Sequence, residues 1–118
     1  MITVPDLRWR AVCRLDDLEA GWGEAALLTD DRGATVQLAL FRLDDDTVHV
    51  TSNLDPATGA PVMSRGIVGS RGDAPTVASP LHKQVYDLRT GAGLTDPGLA
   101  LPTYPARLTA GTVEIRLP

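Results

Sequence analysis

The sequence predicts an all-β fold, a small sandwich or barrel of about eight to ten short antiparallel strands. Three observations carry that expectation. Nine prolines and eleven glycines interrupt the chain too often for long helices. Short runs rich in Val, Leu, Ile and aromatic residues recur along it, as strands require. Turn-forming clusters separate those runs: Asp30-Asp31-Arg32-Gly33, Asp44-Asp45-Asp46 and Ala110-Gly111.

Taken in order, Trp9–Cys13 alternates and reads as a first strand, and Leu15–Gly21 as a turn or a short helical turn. Ala25–Leu28 leads into the tight turn at Asp30–Gly33. Val36–Arg42 is the strongest strand, and it pairs with Val48–Thr51 as a hairpin across Asp44–Asp46. Ser52–Ala74 is rich in Gly, Pro, Ser and Asp and has no clear period, so it reads as a long loop. Its Pro56, Pro61, Met63, Ile67 and Val68 imply an ordered loop, because a floppy linker has no use for them. Thr76–Ala78 and Gln84–Leu88 read as strands flanking a turn at Ser79–Lys83. Thr103–Leu108 and Val113–Leu117 form a closing hairpin. No repeat or linker divides the chain, so residues 1–118 are expected to form a single domain with its core at about 8–117.

Composition removes several function classes. Hydrophobic residues at 43% and charged residues at 22% are ordinary for a globular protein. A net charge of −4 argues against nucleic acid and anionic membranes as partners, since both attract basic surfaces. The single cysteine, Cys13, cannot form an internal disulfide. The start of the chain has neither the charge nor the apolar run of a signal peptide, and no stretch approaches the ~18 apolar residues of a membrane span, so a cytoplasmic location is expected.

The chemistry-bearing residues concentrate in two segments. Asp55-Pro56-Ala57 precedes Thr58-Gly59-Ala60-Pro61-Val62, and Ser79-Pro80-Leu81-His82 precedes Lys83-Gln84-Val85-Tyr86-Asp87-Leu88-Arg89-Thr90-Gly91. Their outline resembles the two ligand boxes of a Rieske iron–sulfur domain. In that family the boxes read Cys-x-His before a Gly-Ala-Pro-Leu run, and Cys-Pro-x-His before a Phe/Tyr-Asp-Leu strand. The resemblance implies a Rieske-like body and places the four ligand positions at Asp55, Ala57, Ser79 and His82. A Rieske cluster requires two thiolates and two imidazoles. Only His82 keeps its ligand, so no cluster, metal or other cofactor is expected in this chain. Asp55 and Ser79 are suited instead to hydrogen-bonding the loop backbones.

A finer resemblance rests on Met63-Ser64-Arg65-Gly66-Ile67-Val68-Gly69 taken with Ser79-Pro80-Leu81-His82-Lys83-Gln84. Asn53-Leu54-Asp55-Pro56 and Tyr104-Pro105-Ala106-Arg107 support it. These segments are similar to the small subunit of assimilatory NAD(P)H-dependent nitrite reductase. That resemblance implies a non-catalytic subunit of an oxidoreductase that reduces nitrite to ammonium in nitrate assimilation. It also implies a large partner subunit carrying FAD, a 4Fe–4S cluster and sirohaem. The expected docking face is the Asp55–Gly72 loop with the Ser79–Gln84 turn, contacting the partner through Arg65, Gly66, Ile67, His82 and Lys83. Arg65 and Ile67 are its expected anchors, as an arginine and an apolar residue at a loop tip fit the profile of interface hot spots. The alternatives are a Rieske-type ferredoxin electron carrier and a stand-alone β binding module.

Other site readings are weaker. Ser79, His82 and Asp55 have the residue types of a hydrolase triad, but no Gly-x-Ser-x-Gly elbow surrounds Ser79. Gly66–Gly72 is glycine-rich but lacks the Gly-Lys-Ser/Thr of a phosphate loop. Cys13 has no base or cation beside it in sequence, and His49 reads as a strand residue, structural or facing solvent.

Overall fold

The computed structural model describes residues 9–81 and 83–118. Ten strands run in chain order: β1 Trp9–Arg14, β2 Gly23–Thr29, β3 Thr35–Arg42, β4 Val48–Ser52, β5 Ile67–Arg71, β6 Ala74–Ala78, β7 Val85–Asp87, β8 Thr103–Tyr104, β9 Ala106–Thr109 and β10 Thr112–Arg116. They form three antiparallel sheets with the orders β1-β10-β9, β2-β3-β4-β8 and β5-β6-β7. Two short 3₁₀ turns, Leu15–Asp17 and Met63–Arg65, are the helical segments among the described residues. The architecture is the all-β one that the punctuation of the sequence predicts.

β3 explains how the sheets share one body. Four consecutive residues, Leu38, Ala39, Leu40 and Phe41, are buried. Side chains alternate along a strand, so unbroken burial means that both faces are covered. Leu38 and Leu40 face a cluster with Leu18, Val50, Val113 and Ile115, under the β1-β10-β9 sheet. Ala39 and Phe41 face a second cluster with Met63, Val77, Tyr86, Leu88 and Leu101, under the β5-β6-β7 sheet. The second cluster is the floor on which the loops at Asp55 and Ser79 stand.

Two expectations from sequence change here. Within the Ser52–Ala74 segment only the stretch from Asn53 to Gly66 is loop, with the short Met63–Arg65 turn in it. From Ile67 it becomes β5, which pairs in register with β6 from Ile67↔Ala78 to Arg71↔Ala74 across a tight turn at Gly72. The pattern was hidden because Gly69 and Ser70 carry little strand propensity, and cross-strand packing supplies what propensity lacks. Thr103–Leu108 is not one strand either. It breaks at Pro105, and its halves join different sheets: Thr103 and Tyr104 pair with β4, while Ala106–Thr109 pairs with β10. A proline cannot donate to a ladder, which makes Pro105 the natural place to change sheets.

Gly23 shows how closely the layers approach. A Cβ at Gly23 would lie 2.3 Å from the Ser64 carbonyl oxygen and 2.7 Å from Phe41 Cε1. The start of β2 is thus seated directly on the Met63–Arg65 turn, with the Phe41 ring packed beside it. Replacing Phe41 by alanine removes that ring from a fully buried position. The expected loss is about 3–5 kcal/mol of folding stability, read from the midpoint of urea unfolding, with an unchanged slope.

Candidate functional site

The first loop is organised by Asn53 and Asp55. Asn53 fastens it to the Met63–Arg65 turn: its Oδ1 accepts from Ser64 N–H (2.7 Å), its carbonyl accepts from Met63 N–H (3.0 Å) and its Nδ2 donates to Pro61 O (3.3 Å). Asp55 closes the loop on itself. Its Oδ1 accepts from the N–H groups of Ala57 (2.7 Å) and Thr58 (3.3 Å), its carbonyl accepts from Gly59 N–H (2.7 Å), and its own N–H donates to Ala60 O (2.8 Å). Asp is the residue for this turn because its short side chain reaches the backbone two positions ahead.

Ser79 organises the second loop in the same manner. Its N–H donates to Gln84 O (2.8 Å), and its Oγ accepts from Leu81 N–H (3.1 Å). Lys83 completes the turn with a left-handed backbone, φ +54°. The hydroxyl of Ser79 then donates to Asp55 Oδ2 across the gap between the loops. Both side chains are 1% exposed. One buried hydrogen bond therefore ties together two loops that lie 24 positions apart in sequence.

Tyr86, in β7, is fully buried. Its hydroxyl has no hydrogen-bond partner among the described residues. Burial, and then the charges of Asp55 and Asp96, raise its pKa above the ordinary tyrosine value. The neutral phenol is thereby favoured next to the Asp55 side chain.

The expected site residues fall as follows. Asp55 and Ser79 are brought together. Ala57 is exposed and contributes its N–H to the Asp55 turn. Arg65, Gly66 and Ile67 run from the 3₁₀ turn into β5, with Ile67 opposite Ala78, the residue before Ser79. Arg65 is exposed and Ile67 is 73% exposed, whereas its neighbour Val68 packs on the core cluster with Met63 and Val77. Gly66 is needed for close approach: a Cβ there would lie 2.6 Å from Ala78 O and 2.7 Å from Val77 Cγ2. Lys83 is exposed. His82 lies outside the described residues.

The weaker readings find no chemistry here. Ser79 is buried and gives its proton to a carboxylate oxygen, with no imidazole between them, which is not the order of a hydrolase triad. Gly66–Gly72 is a strand and its turn rather than a phosphate cradle. Cys13 is half-buried in β1; burial, Asp17 and Glu24 all raise its pKa, so the thiol rather than the thiolate prevails. Among the described residues, no group of three or more His, Cys, Asp or Glu side chains could hold a metal ion.

Two things escaped the reading of the sequence: the direct Asp55–Ser79 bond and the anchoring by Asn53. The type of each residue indicated local turn capping, but nothing in a linear sequence says which two turns face each other.

With this geometry in view, the comparisons with known proteins are specific. Residues 8–116 match the family model of the Rieske-like 2Fe-2S domain, and the chain belongs to that class. The small subunit of NADH nitrite reductase from Escherichia coli K12 is 36% identical over 110 residues, covering 92% of this chain and 97% of that one. A crystal structure from Mycobacterium tuberculosis, described as an NADH-dependent nitrite reductase small subunit, superposes with a TM-score of 0.85 at 45% identity, covering 100% of this chain and 98% of that one. This protein is thus a member of the nitrite reductase small-subunit family. The NAD(P)H nitrite reductase large subunit of Klebsiella oxytoca is also similar, 36% identical over 112 residues, which is 95% of this chain but 11% of that much longer one. Among the described residues, no helix is long and apolar enough to cross a membrane.

His49, in β4, lies on the side of the molecule where Asp45, Thr47, Asp73 and Arg89 line an open groove of about 600 Å³. Burial lowers its pKa and Arg89 adds to the effect, while Asp45 and Asp87 oppose it. A histidine whose folded pKa lies below its unfolded value binds fewer protons when folded. Folding stability is therefore full above about pH 6.5 and falls as the pH drops through that value and on to the lower folded pKa. Urea midpoints recorded at intervals from pH 8 to pH 5 should decline across this window. In His49→Gln the decline should be absent, leaving the carboxylate-driven loss at lower pH.

Proposed function

We propose that this chain is the non-catalytic small subunit of a cytoplasmic NAD(P)H nitrite reductase, which docks on a large subunit and supports its reduction of nitrite to ammonium. The observation that carries the reading is the pairing of Asp55 with Ser79 at the heart of a family-typical Rieske body. A Rieske cluster is held by thiolates and imidazoles. Here the two side chains that face each other across the loops offer oxygen, and both are already committed to the protein's own hydrogen bonds. Ala57 offers no donor, and Cys13 stands in β1 among core residues. This donor set does not fit the cluster. On this reading Asp55, Ala57, Ser79 and His82 are vestiges of a ligand set, and electron transfer belongs to the FAD, 4Fe–4S cluster and sirohaem that the family resemblance implies in the large subunit.

The Klebsiella large subunit supports the choice of partner. A stretch resembling this chain is joined covalently to the remainder of that protein, as expected of a domain that works at close quarters with it. The docking face proposed is the loop end. Leu54, Ile67 and Leu81 expose apolar surface there, and Arg65 and Lys83 make no ion pair with any described residue. Apolar surface framed by unpaired cations suits an acidic-rimmed socket of about 800 Å² per partner.

Co-expression with the large subunit, followed by size exclusion and a nitrite-reduction assay, tests the assignment. The two chains are expected to co-elute and to turn over nitrite. Arg65→Glu is expected to weaken association about tenfold or more, roughly 1.4 kcal/mol. Unaltered affinity and turnover would remove this docking face. The anaerobically purified small chain should be colourless and free of stoichiometric iron; visible cluster bands would establish the ferredoxin alternative instead.

A further inference from the structure

The Met63–Arg65 turn is clamped by a buried amide. Asn53 is 5% exposed and spends both ends of its carboxamide on this stretch: Oδ1 accepts from Ser64 N–H (2.7 Å) and Nδ2 donates to Pro61 O (3.3 Å). Its main chain adds two ties. Asn53 O accepts from Met63 N–H (3.0 Å), and Asn53 N–H donates to Gln37 O (2.9 Å), which roots the clamp in β3. Two glycines pack against the same stretch. A Cβ at Gly23 would lie 2.3 Å from Ser64 O, and one at Gly66 would lie 2.6 Å from Ala78 O.

Arg65 stands between these fixed points. Its N–H donates to Val62 O (2.9 Å) and the N–H of Gly66 donates to Met63 O (2.9 Å), so the backbone is tied on both flanks. Its side chain is exposed and makes no hydrogen bond or ion pair with a described residue. By contrast, Arg10, Arg42, Arg89 and Arg107 each pair with a carboxylate of the chain. A free guanidinium on backbone that is already ordered is prepared for a contact outside the chain, because little main-chain freedom is lost when it binds. Its planar fork offers two N–H groups to the two oxygens of a carboxylate, a match that the ammonium of lysine does not make.

The chemistry at position 53 is specific. One side chain accepts from Ser64 N–H and donates to Pro61 O, and a carboxamide does both. Aspartate would accept but not donate. Alanine would do neither and would leave both backbone groups without these partners.

We propose that Asn53 is a positioning residue of the docking face and acts through Arg65: its carboxamide fixes the turn from which the Arg65 guanidinium pairs with a carboxylate of the large subunit. This role rests on the docking reading above and deepens it by naming the residue that sets the geometry of its cationic contact.

The test measures affinity in the intact two-subunit complex for the parent, Asn53→Ala, Arg65→Ala and the double variant, under conditions where urea unfolding shows each small chain to be folded. Asn53→Ala is expected to weaken association about tenfold in the parent background. In the Arg65→Ala background it is expected to change affinity by less than about twofold, because the contact it serves is already gone. Asn53→Asp, which restores the acceptor for Ser64 N–H, should recover most of the lost affinity, and Arg65→Lys should not replace arginine. A residue that only supports the fold would lower the urea midpoint in both backgrounds and leave this coupling at zero. Equal losses of affinity with and without Arg65 would therefore overturn the proposal, as would an Asn53→Ala chain that binds like the parent, while the docking reading survives either result. Asn53→Ser repeats the cycle if Asn53→Ala does not fold, with the same pattern expected. If the parent chain itself forms no complex, the docking reading falls and this proposal with it.

Discussion

Two loops, each leaving the β scaffold for its own reasons, meet at the hydrogen bond from Ser79 to Asp55. Each partner already serves its own loop: Asp55 accepts from Ala57 and Thr58, and Ser79 from Leu81. The bond between them is what makes one surface of two turns. Its size can be set against the alternatives. A hydrogen bond with a charged partner contributes about 1.5–3 kcal/mol, and a buried polar atom deprived of its partner costs about 1–3 kcal/mol. That is less than a metal cluster supplies to a fold, yet it is a sizeable fraction of the ~5–15 kcal/mol of a whole domain. It is enough to tie the two loops to one another, and it does so with side chains that bring no redox chemistry of their own.

The scaffold makes this small interaction sufficient. β3 is buried on both faces, so the two halves of the fold share a wall. Met63, Val77 and Tyr86 press the loop-bearing half on that wall. Asn53 then fixes the first loop to the Met63–Arg65 turn, and Gly66 lets β5 lie against Ala78 and Val77. These contacts and the Asp55–Ser79 bond act together in holding the loops. The hydroxyl of Tyr86 is buried in the same half of the molecule and has no partner among the described residues. The same half of the molecule exposes Leu54, Ile67 and Leu81, which joins the structural role of the loops to their proposed work as a contact surface.

Much of this was legible in the sequence, and the reasons are physical. The apolar run of β3 announces a strand, and the Asp-rich turns delimit its hairpin; that both its faces are covered appears only in the fold. Asp55 and Ser79 stood out because a family outline surrounds them. β5 was not legible: Gly69 and Ser70 have weak strand preference, and the strand exists because Val68 reaches the core and β6 supplies a partner. The break at Pro105 shows the opposite case, where a local rule should have divided one strand between two sheets. The Asp55–Ser79 pairing belongs to neither case, since it depends on which turns the tertiary fold sets face to face.

The central claim is that a direct bond between these two side chains joins the loops. A double-mutant cycle tests it: the stabilities of the parent, Asp55→Ala, Ser79→Ala and the double variant, each from urea unfolding with matched slopes. Residues in direct contact couple by about 0.5–3 kcal/mol. The account predicts coupling of about 1–3 kcal/mol, so that the double variant is destabilised by clearly less than the sum of the single variants. Additive losses would show that Asp55 and Ser79 each serve only their own loop, and would contradict it.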